Sequence, residues 1–432
     1  MDAGGRCPNA QEMMATTDGK QKTILVIGGG ISGLTAARDL CRRGIKAVVV
    51  ERGGFAGGHA AHFACKATES CVGCNGCLVE DTLRRVAEEG EVEIRLKTRV
   101  TDLKRVGPRF SVSLTSGPAW IDPEKCTDCG TCYSECPDAE NGAMERAPSP
   151  HHHPFYVIDP AHCGCSGRGT RPVCETVCPE GAVSFEREEE SWSVEVDGIL
   201  LATGYEPFDP RGTGRYGFSR FENMITGMDL ERMLREKGRI LRVSDGSPPR
   251  RIAFVQCVGS RDARRGREYC SRVCCGYALR MALKIVHDDP RSEVTVFYMD
   301  IQNFGKDFQR HYAEAREKLH LRRGLPGDFD LSEDESISVT SFDEKSGSPI
   351  TESFDMVVLS VGMTPPGGEG LLVENLELPR GPDGFLEAPL EEDGGAPVVI
   401  AGAAEGPMDI SESISHAKRA VLEIMQSLDK QG

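Results

Sequence analysis

The run Cys126, Cys129, Cys132, Cys136 and Pro137 constrains this chain more than any other feature. It reads C-x2-C-x2-C-x3-C-P, a spacing that wraps a [4Fe-4S] cube. Three close thiolates reach three irons of one cluster, and the fourth cysteine, turned away ahead of the proline, serves a second cluster nearby. A structural zinc site is the competing reading, but this is not a usual zinc spacing. Sixteen of the eighteen cysteines fall into four groups of four, so metal ligation is expected at several places along the chain.

At 432 residues the chain is long enough for two or three domains, each with its own core. Charged residues make up 27% and hydrophobic ones 39%, a soluble globular balance. The net charge of −16 disfavours nucleic acid and anionic membrane surfaces as partners. Disulfide scaffolds are usually short and secreted, whereas this chain is long and its first 22 residues lack the apolar stretch of a signal peptide. No run approaches the roughly 18 apolar residues that span a bilayer. The expectation is a cytoplasmic protein with reduced, mostly metal-bound cysteines, meeting a membrane only through another subunit.

Residues 23–27 (TILVI) read as a buried parallel strand, followed by Gly28-Gly29-Gly30-Ile31-Ser32-Gly33, a helix up to Gly44, and a second strand over 45–50 ending in Glu51. Gly28 permits the tight turn, Gly30 lets backbone approach a pyrophosphate, and Gly33 lets the helix pack closely. Glu51 stands where an acid meets the ribose of a dinucleotide, and the helix start faces the phosphates. Further on, 197–205 contains Ala202-Thr203-Gly204, which resembles the strand closing the FAD domain of two-dinucleotide flavoproteins. The strand 398–402, ending in Gly402, leads through Asp409 and Ile410 into a helix to about 425, which resembles the last FAD-domain segment, where backbone amides face the flavin's pyrimidine edge. Gly57 and Gly58 resemble the glycines that in such flavoproteins let backbone pass close to the isoalloxazine, and Ser32, Arg52 and His59 complete the cofactor-binding candidates.

The expected fold class is α/β: a two-dinucleotide-binding-domain flavoprotein, thioredoxin/disulfide reductase-like, with an inserted 2[4Fe-4S] ferredoxin module. The FAD domain would comprise residues 22–116, 189–210 and 395–428, interrupted by the module at 117–188. A second α/β domain with its own cluster motif would span 248–365. In related flavoproteins that domain opens with a second GxGxxG; here its first strand runs into Gln256-Cys257-Val258-Gly259-Ser260, and the nicotinamide site looks lost.

Three further cysteine groups remain. Cys163, Cys165, Cys174 and Cys178 end like a ferredoxin motif but begin with an irregular spacing. Crossed ligation would give one cube Cys126, Cys129, Cys132 and Cys178, and the other Cys163, Cys165, Cys174 and Cys136. Cys257, Cys270, Cys274 and Cys275 would bring a strand end to a helix start. Cys65, Cys71, Cys74 and Cys77 follow Gly57-Gly58 and read as a further cube, a redox-active thiol pair or a zinc site. Cys41 reads as core packing, Cys7 as a tail residue, and His151-His152-His153 as a solvated loop.

The stretch CVGSRD…YCSRVCCGYALRMA, from Cys257, resembles the signature of the flavin-bearing A-type subunits of heterodisulfide reductase and their relatives, including flavoprotein subunits of quinone-interacting membrane-bound complexes. The resemblance continues through 297–306 and through Ala401-Gly402…Gly406-Pro407-Met408-Asp409-Ile410, covering roughly 22–425. It implies that Cys257, Cys270, Cys274 and Cys275 ligate a [4Fe-4S] cluster close to the FAD. It also implies an electron-relaying, even bifurcating, FAD/iron–sulfur subunit with three clusters and a fourth candidate. Its partners would be other redox subunits of such a complex, ferredoxin, or a hydrogenase or dehydrogenase subunit, in a hetero-oligomer or a dimer. The alternative is a stand-alone NAD(P)H-dependent flavin reductase of the glutamate synthase small-subunit type; a non-catalytic scaffold is the third reading. No acid–base residue stands out. Lys66 and Lys306 are candidates for a positive charge near the flavin, with a solvated surface lysine as the default for either.

Overall fold

The computed structural model describes residues 21–90, 92–147, 154–165, 172–302, 308–343, 346–389 and 395–430. Lys306, Cys7 and His151–His153 lie outside them. The apolar strand Thr23–Ile27 sits at the centre of a five-stranded parallel sheet. Lys46–Val50 and then Glu93–Arg95 flank it on one side, and Gly198–Leu201 and then Val398–Ile400 on the other. Continuous apolar runs are what a sheet covered on both faces requires. Helices Ile31–Cys41 and Ile410–Lys430 cover one face, burying Leu40, Ala417, Val421 and Ile424 against Val26 and Leu200. Partly buried Cys41 packs there too. The last helix runs past the expected 425 to Lys430, because Val421, Ile424 and Leu428 continue its buried stripe.

A three-stranded antiparallel sheet, Thr98–Val106, Arg109–Ser116 and Glu190–Val196, covers the other face. Ser116 pairs directly with Glu190. The cysteine-rich segment therefore leaves and re-enters at adjacent positions of one ladder, and the sheet closes beneath it. That segment has its own small core around Ile121, Ala143, Phe155 and Val183, with Cys126, Cys132, Cys163 and Cys174 buried in it. It docks on the sheet's edge through Phe55 and Leu96, and Lys97 Nζ donates to Ile158 O at 3.3 Å.

A second five-stranded parallel sheet is ordered Met224–Thr226, Met356–Val361, Arg251–Val258, Glu293–Tyr298, His320–Arg323. The strand Met224–Thr226 and the capped helix Gly227–Lys237 begin this unit earlier than residue 248. A three-residue strand carries no readable period, which is why the pattern missed it. The two-sheet α/β architecture is the expected fold class. Among the described residues no helix is long and apolar enough to cross a membrane.

Candidate flavin and iron–sulfur sites

A cavity of about 520 Å³ runs from the first sheet's glycine turn to the second unit. Of the sequence-derived cofactor residues, Gly28, Gly30, Ser32, Glu51, Arg52, Gly57, Gly58, His59, Ala202, Thr203, Gly204, Asp409 and Ile410 line it. Gly33 and Gly402 stand behind the wall. A side chain at Gly33 would strike the carbonyl oxygen of Gly28, and one at Gly402 would strike Ser32 Oγ. Gly30 is different: a Cβ there would meet nothing within 4 Å. It opens onto space at the start of helix Ile31–Cys41, a cradle shaped for a phosphate against backbone amides. Glu51 is held by two loop amides beside the cradle, accepting from Gly29 N at 2.7 Å and Gly53 N at 2.6 Å. These residues fit FAD.

His59 Nε2 lies 2.9 Å from Tyr205 O, so that nitrogen carries the proton and donates. Burial, ahead of the opposing bond to Tyr205, pulls His59 below its ordinary value of 6.5. A base with a lowered folded pKa loses folding free energy as pH falls below its unfolded value. Melting curves between about pH 7 and pH 5.5 should therefore show wild type losing stability more steeply than His59→Gln; equal slopes would sink this assignment.

Beyond the cradle the wall is made by Tyr277 and Arg280, from the stretch after Cys275, and by residues that carried no sequence signal: Phe63, Gly227, Met228 and Glu231. Lys66 lines it too, and here the structure corrects the sequence default. Lys66 is 2% exposed rather than solvated. Its Nζ lies 2.6 Å from Glu231 Oε1 and donates to Ala64 O at 3.1 Å. Glu231 Oε2 in turn accepts from Ala64 N at 3.0 Å. Only the fold brings these residues together, because Glu231 belongs to the unforeseen helix Gly227–Lys237.

The cysteine groups separate into two kinds. Cys126, Cys129, Cys132 and Cys178 ring a small cavity in the inserted module. Burial pushes the Cys132 thiol up to about 11, with Cys126, Cys129 and Cys178 adding repulsion. Burial likewise pushes Cys174 up to about 12, with Cys136 and Cys163 among its neighbours. Cys165 packs beside them, and Asp138 Oδ2 holds the intervening loop by accepting from Gly164 N at 2.9 Å. In the second unit, Cys257 stands near the end of strand Arg251–Val258, while Cys274 and Cys275 open helix Cys274–Asp288. Burial holds Cys257 at about 11, Cys275 at about 12, and Cys274 well above the ordinary thiol range, with Cys270 repelling all three.

Thiols packed this way resist ionisation on their own; a cationic iron core binding them as thiolates reverses that balance. Among the described residues no three Cys, His, Asp or Glu converge closely enough for a single metal ion. Sulfurs ringing a space suit a cluster, which is wider than one ion. The fourth group is not gathered in this way. Cys65, Cys71 and Cys77 are exposed, and Cys74 is half-buried and lines the flavin cavity. Asn75, beside it, donates to Ser411 Oγ at 2.6 Å, tying this loop to the start of the last helix.

The third group adjoins the flavin cavity. Arg272 and Val273 precede Cys274, Gly276 and Tyr277 follow Cys275, and all four line the cavity. Arg272 also ties this loop to the first unit, donating to Pro407 O at 3.2 Å and to Glu412 Oε1 at 2.6 Å.

Residues 23–70 match the family described as FAD dependent oxidoreductase, and residues 117–138 match the 4Fe-4S binding domain. The chain is 36% identical over 421 residues to the A-type subunit of the H2:CoB-CoM heterodisulfide,ferredoxin reductase of Methanothermobacter marburgensis, covering 92% of this chain and 62% of that protein. It is 34% identical over 424 residues to the iron-sulfur A-type subunit of the CoB–CoM heterodisulfide reductase of Methanocaldococcus jannaschii, covering 92% and 63%. The chain thus spans less than two thirds of the length of these curated relatives. Among solved structures, thioredoxin reductase of T. acidophilum matches with TM-score 0.53 and 12% identity, over 95% of this chain and all of that one. Thioredoxin reductase of Lactococcus lactis matches with TM-score 0.52 and 16% identity, over the same shares. At these identities the likeness concerns the fold alone.

Proposed function

We propose that this chain, which belongs in sequence to the family of heterodisulfide reductase A-type subunits, relays electrons between partner redox proteins through one FAD and three [4Fe-4S] clusters. When bound, FAD exchanges electrons in pairs or singly, and each cluster exchanges them singly. The observation that carries this reading is the third cysteine group placed directly behind the flavin-cavity wall, where its neighbours Arg272, Val273, Gly276 and Tyr277 line the cavity.

The chain's own residues bind and orient these groups. The amides after Gly30 hold the pyrophosphate, Glu51 the ribose, and the turn around Asp409 and Ile410 the flavin's pyrimidine edge. Cys257, Cys270, Cys274 and Cys275 hold the cluster beside the flavin. Cys126, Cys129, Cys132 and Cys178 hold one cube of the inserted module, and Cys136, Cys163, Cys165 and Cys174 the other. Domain limits follow the same division: 22–116, 189–210 and 395–428 for FAD, 117–188 for the inserted module, and a cluster-bearing second unit reaching to about 365. The two relatives described above are named as subunits of heterodisulfide reductases, one of them a heterodisulfide,ferredoxin reductase. By analogy, the partners here are other redox subunits and ferredoxin in a cytoplasmic hetero-oligomer. The loop between strand Arg251–Val258 and helix Cys274–Asp288 carries Cys270 where a glycine turn would cradle NAD(P)H, which supports the relay reading over the stand-alone reductase.

Anaerobic purification with quantitation of iron, sulfide and flavin tests this. About twelve irons and one FAD per chain are expected. About sixteen would add Cys65, Cys71, Cys74 and Cys77 as a fourth cluster site. No flavin, or zinc in place of iron, would overturn the reading, and rapid bleaching of the flavin by NADH or NADPH alone would restore the stand-alone reductase.

A further inference from the structure

Glu369 is a buried acid that accepts no hydrogen bond on either carboxylate oxygen among the described residues, although Arg380 stands within ion-pair distance. It precedes the short helix Gly370–Asn375 and is 5% exposed. Arg380 Nη2 is 3.6 Å from Oε2, beyond hydrogen-bonding reach, and that guanidinium is anchored through Nη1 on Gly384 O at 2.6 Å. Thr203 Oγ1 is likewise buried, close enough to the Glu369 carboxyl to oppose its rise but outside hydrogen-bonding geometry. Both residues line the flavin cavity.

Their position identifies which end of a dinucleotide they would meet. Arg52, immediately after Glu51, reaches Gly367 O with Nη1 at 3.3 Å. The segment leading into Glu369 therefore lies against the ribose-binding end of the first sheet. Thr203 belongs to the segment that closes the cradle, where a Cβ on Gly28 would strike Ala202 O.

A buried carboxylate without hydrogen bonds destabilises the fold that contains it. Burial pushes the Glu369 carboxyl up, against the opposing influence of Thr203, Arg380 and Arg52. Such a group is useful only when a ligand supplies the missing donor. We infer that Glu369 and Thr203 form a second polar clamp on the adenosine half of the bound dinucleotide, with the Glu369 carboxyl accepting from a ribose hydroxyl or from the adenine amino group. This inference rests on the FAD reading above and deepens it.

The test uses the full chain stripped of flavin, titrated with FAD, ADP and FMN by calorimetry, in wild type, Glu369→Leu and Glu369→Gln. Glu369→Leu should weaken FAD and ADP in parallel by about 10- to 100-fold, the loss expected when a buried ligand donor goes unpaired. Glu369→Gln, which keeps one acceptor, should fall between. FMN, which lacks adenosine, should bind all three alike. The flavin-free Glu369→Leu chain should melt at or above wild type, which a merely structural glutamate would not do. Binding of 2′-deoxy-ADP and of IDP then separates hydroxyl from amino group: the analogue lacking the contacted donor should be insensitive to the substitution. FAD and ADP affinities within twofold of wild type would overturn the clamp, as would equal weakening of FMN or a markedly lower melting point of the flavin-free variant. A wild type that binds ADP but not FAD would defeat the FAD reading while the clamp is still judged on ADP.

Discussion

Replacing Cys178 by alanine should remove the same cluster that is lost on replacing Cys132, although Cys178 closes the other cysteine motif. The reason is placement: Cys126, Cys129, Cys132 and Cys178 ring one cavity, while Cys136 lies with Cys163 and Cys174. Each module variant should lose about four irons per chain. Low-temperature electron paramagnetic resonance of reduced, anaerobically prepared protein should show one identical signal missing from Cys132→Ala and Cys178→Ala. Cys136→Ala and Cys174→Ala should lack a different one. Sequential pairing, with Cys178→Ala matching Cys174→Ala instead, would defeat the crossed assignment. The third group makes an internal control, since it sits in the other unit and Cys274→Ala should leave both module signals in place.

Lys66→Ala should destabilise the chain by about 3–5 kcal/mol, the cost of leaving a buried charge without its partner. Glu231 stays behind at 3% exposure, and burial already raises its carboxyl against the pull of Lys66. Glu231→Ala should cost a similar amount, because it strands the ammonium among Phe63, Ala64 and the cavity wall. The double variant Lys66→Met/Glu231→Leu removes both charges and keeps the volume, so it should recover most of the loss. Anaerobic denaturant unfolding followed by circular dichroism reads all four chains, with the second unit's transition as the relevant one. Single variants as stable as wild type would show that the pair is solvated in solution. Glu231 belongs to helix Gly227–Lys237 of the second unit and Lys66 to the flavin-side loop. Losing the pair should therefore also loosen the seam between the units and weaken FAD retention.

The contrast between these two predictions follows from range. Motifs with short spacing were legible from the chain itself. C-x2-C-x2-C-x3-C-P, the glycine turn before Ile31 and the acid ending the second strand each depend on contacts within a few residues, and local geometry enforces them. The two parallel sheets were legible too, because strands buried on both faces read as unbroken apolar runs. Burial of single polar groups was not. Lys66 looks like any surface lysine until helix Gly227–Lys237 closes over it, and Glu369 carries no motif at all.

The same boundary runs through the cysteines. Sequence alone determined that the chain carries clustered thiols, a dinucleotide cradle and an insertion between two strands. The motif ending at Cys178 and the resemblance around Cys257 already imply a crossed first cube and a cluster beside the flavin; only the tertiary structure left Cys65, Cys71 and Cys77 at the surface and closed Glu231 over Lys66. Spacing along the chain dictates which ligands can share a turn. Which distant segments share a cavity depends on how whole sheets pack, and no local pattern encodes that.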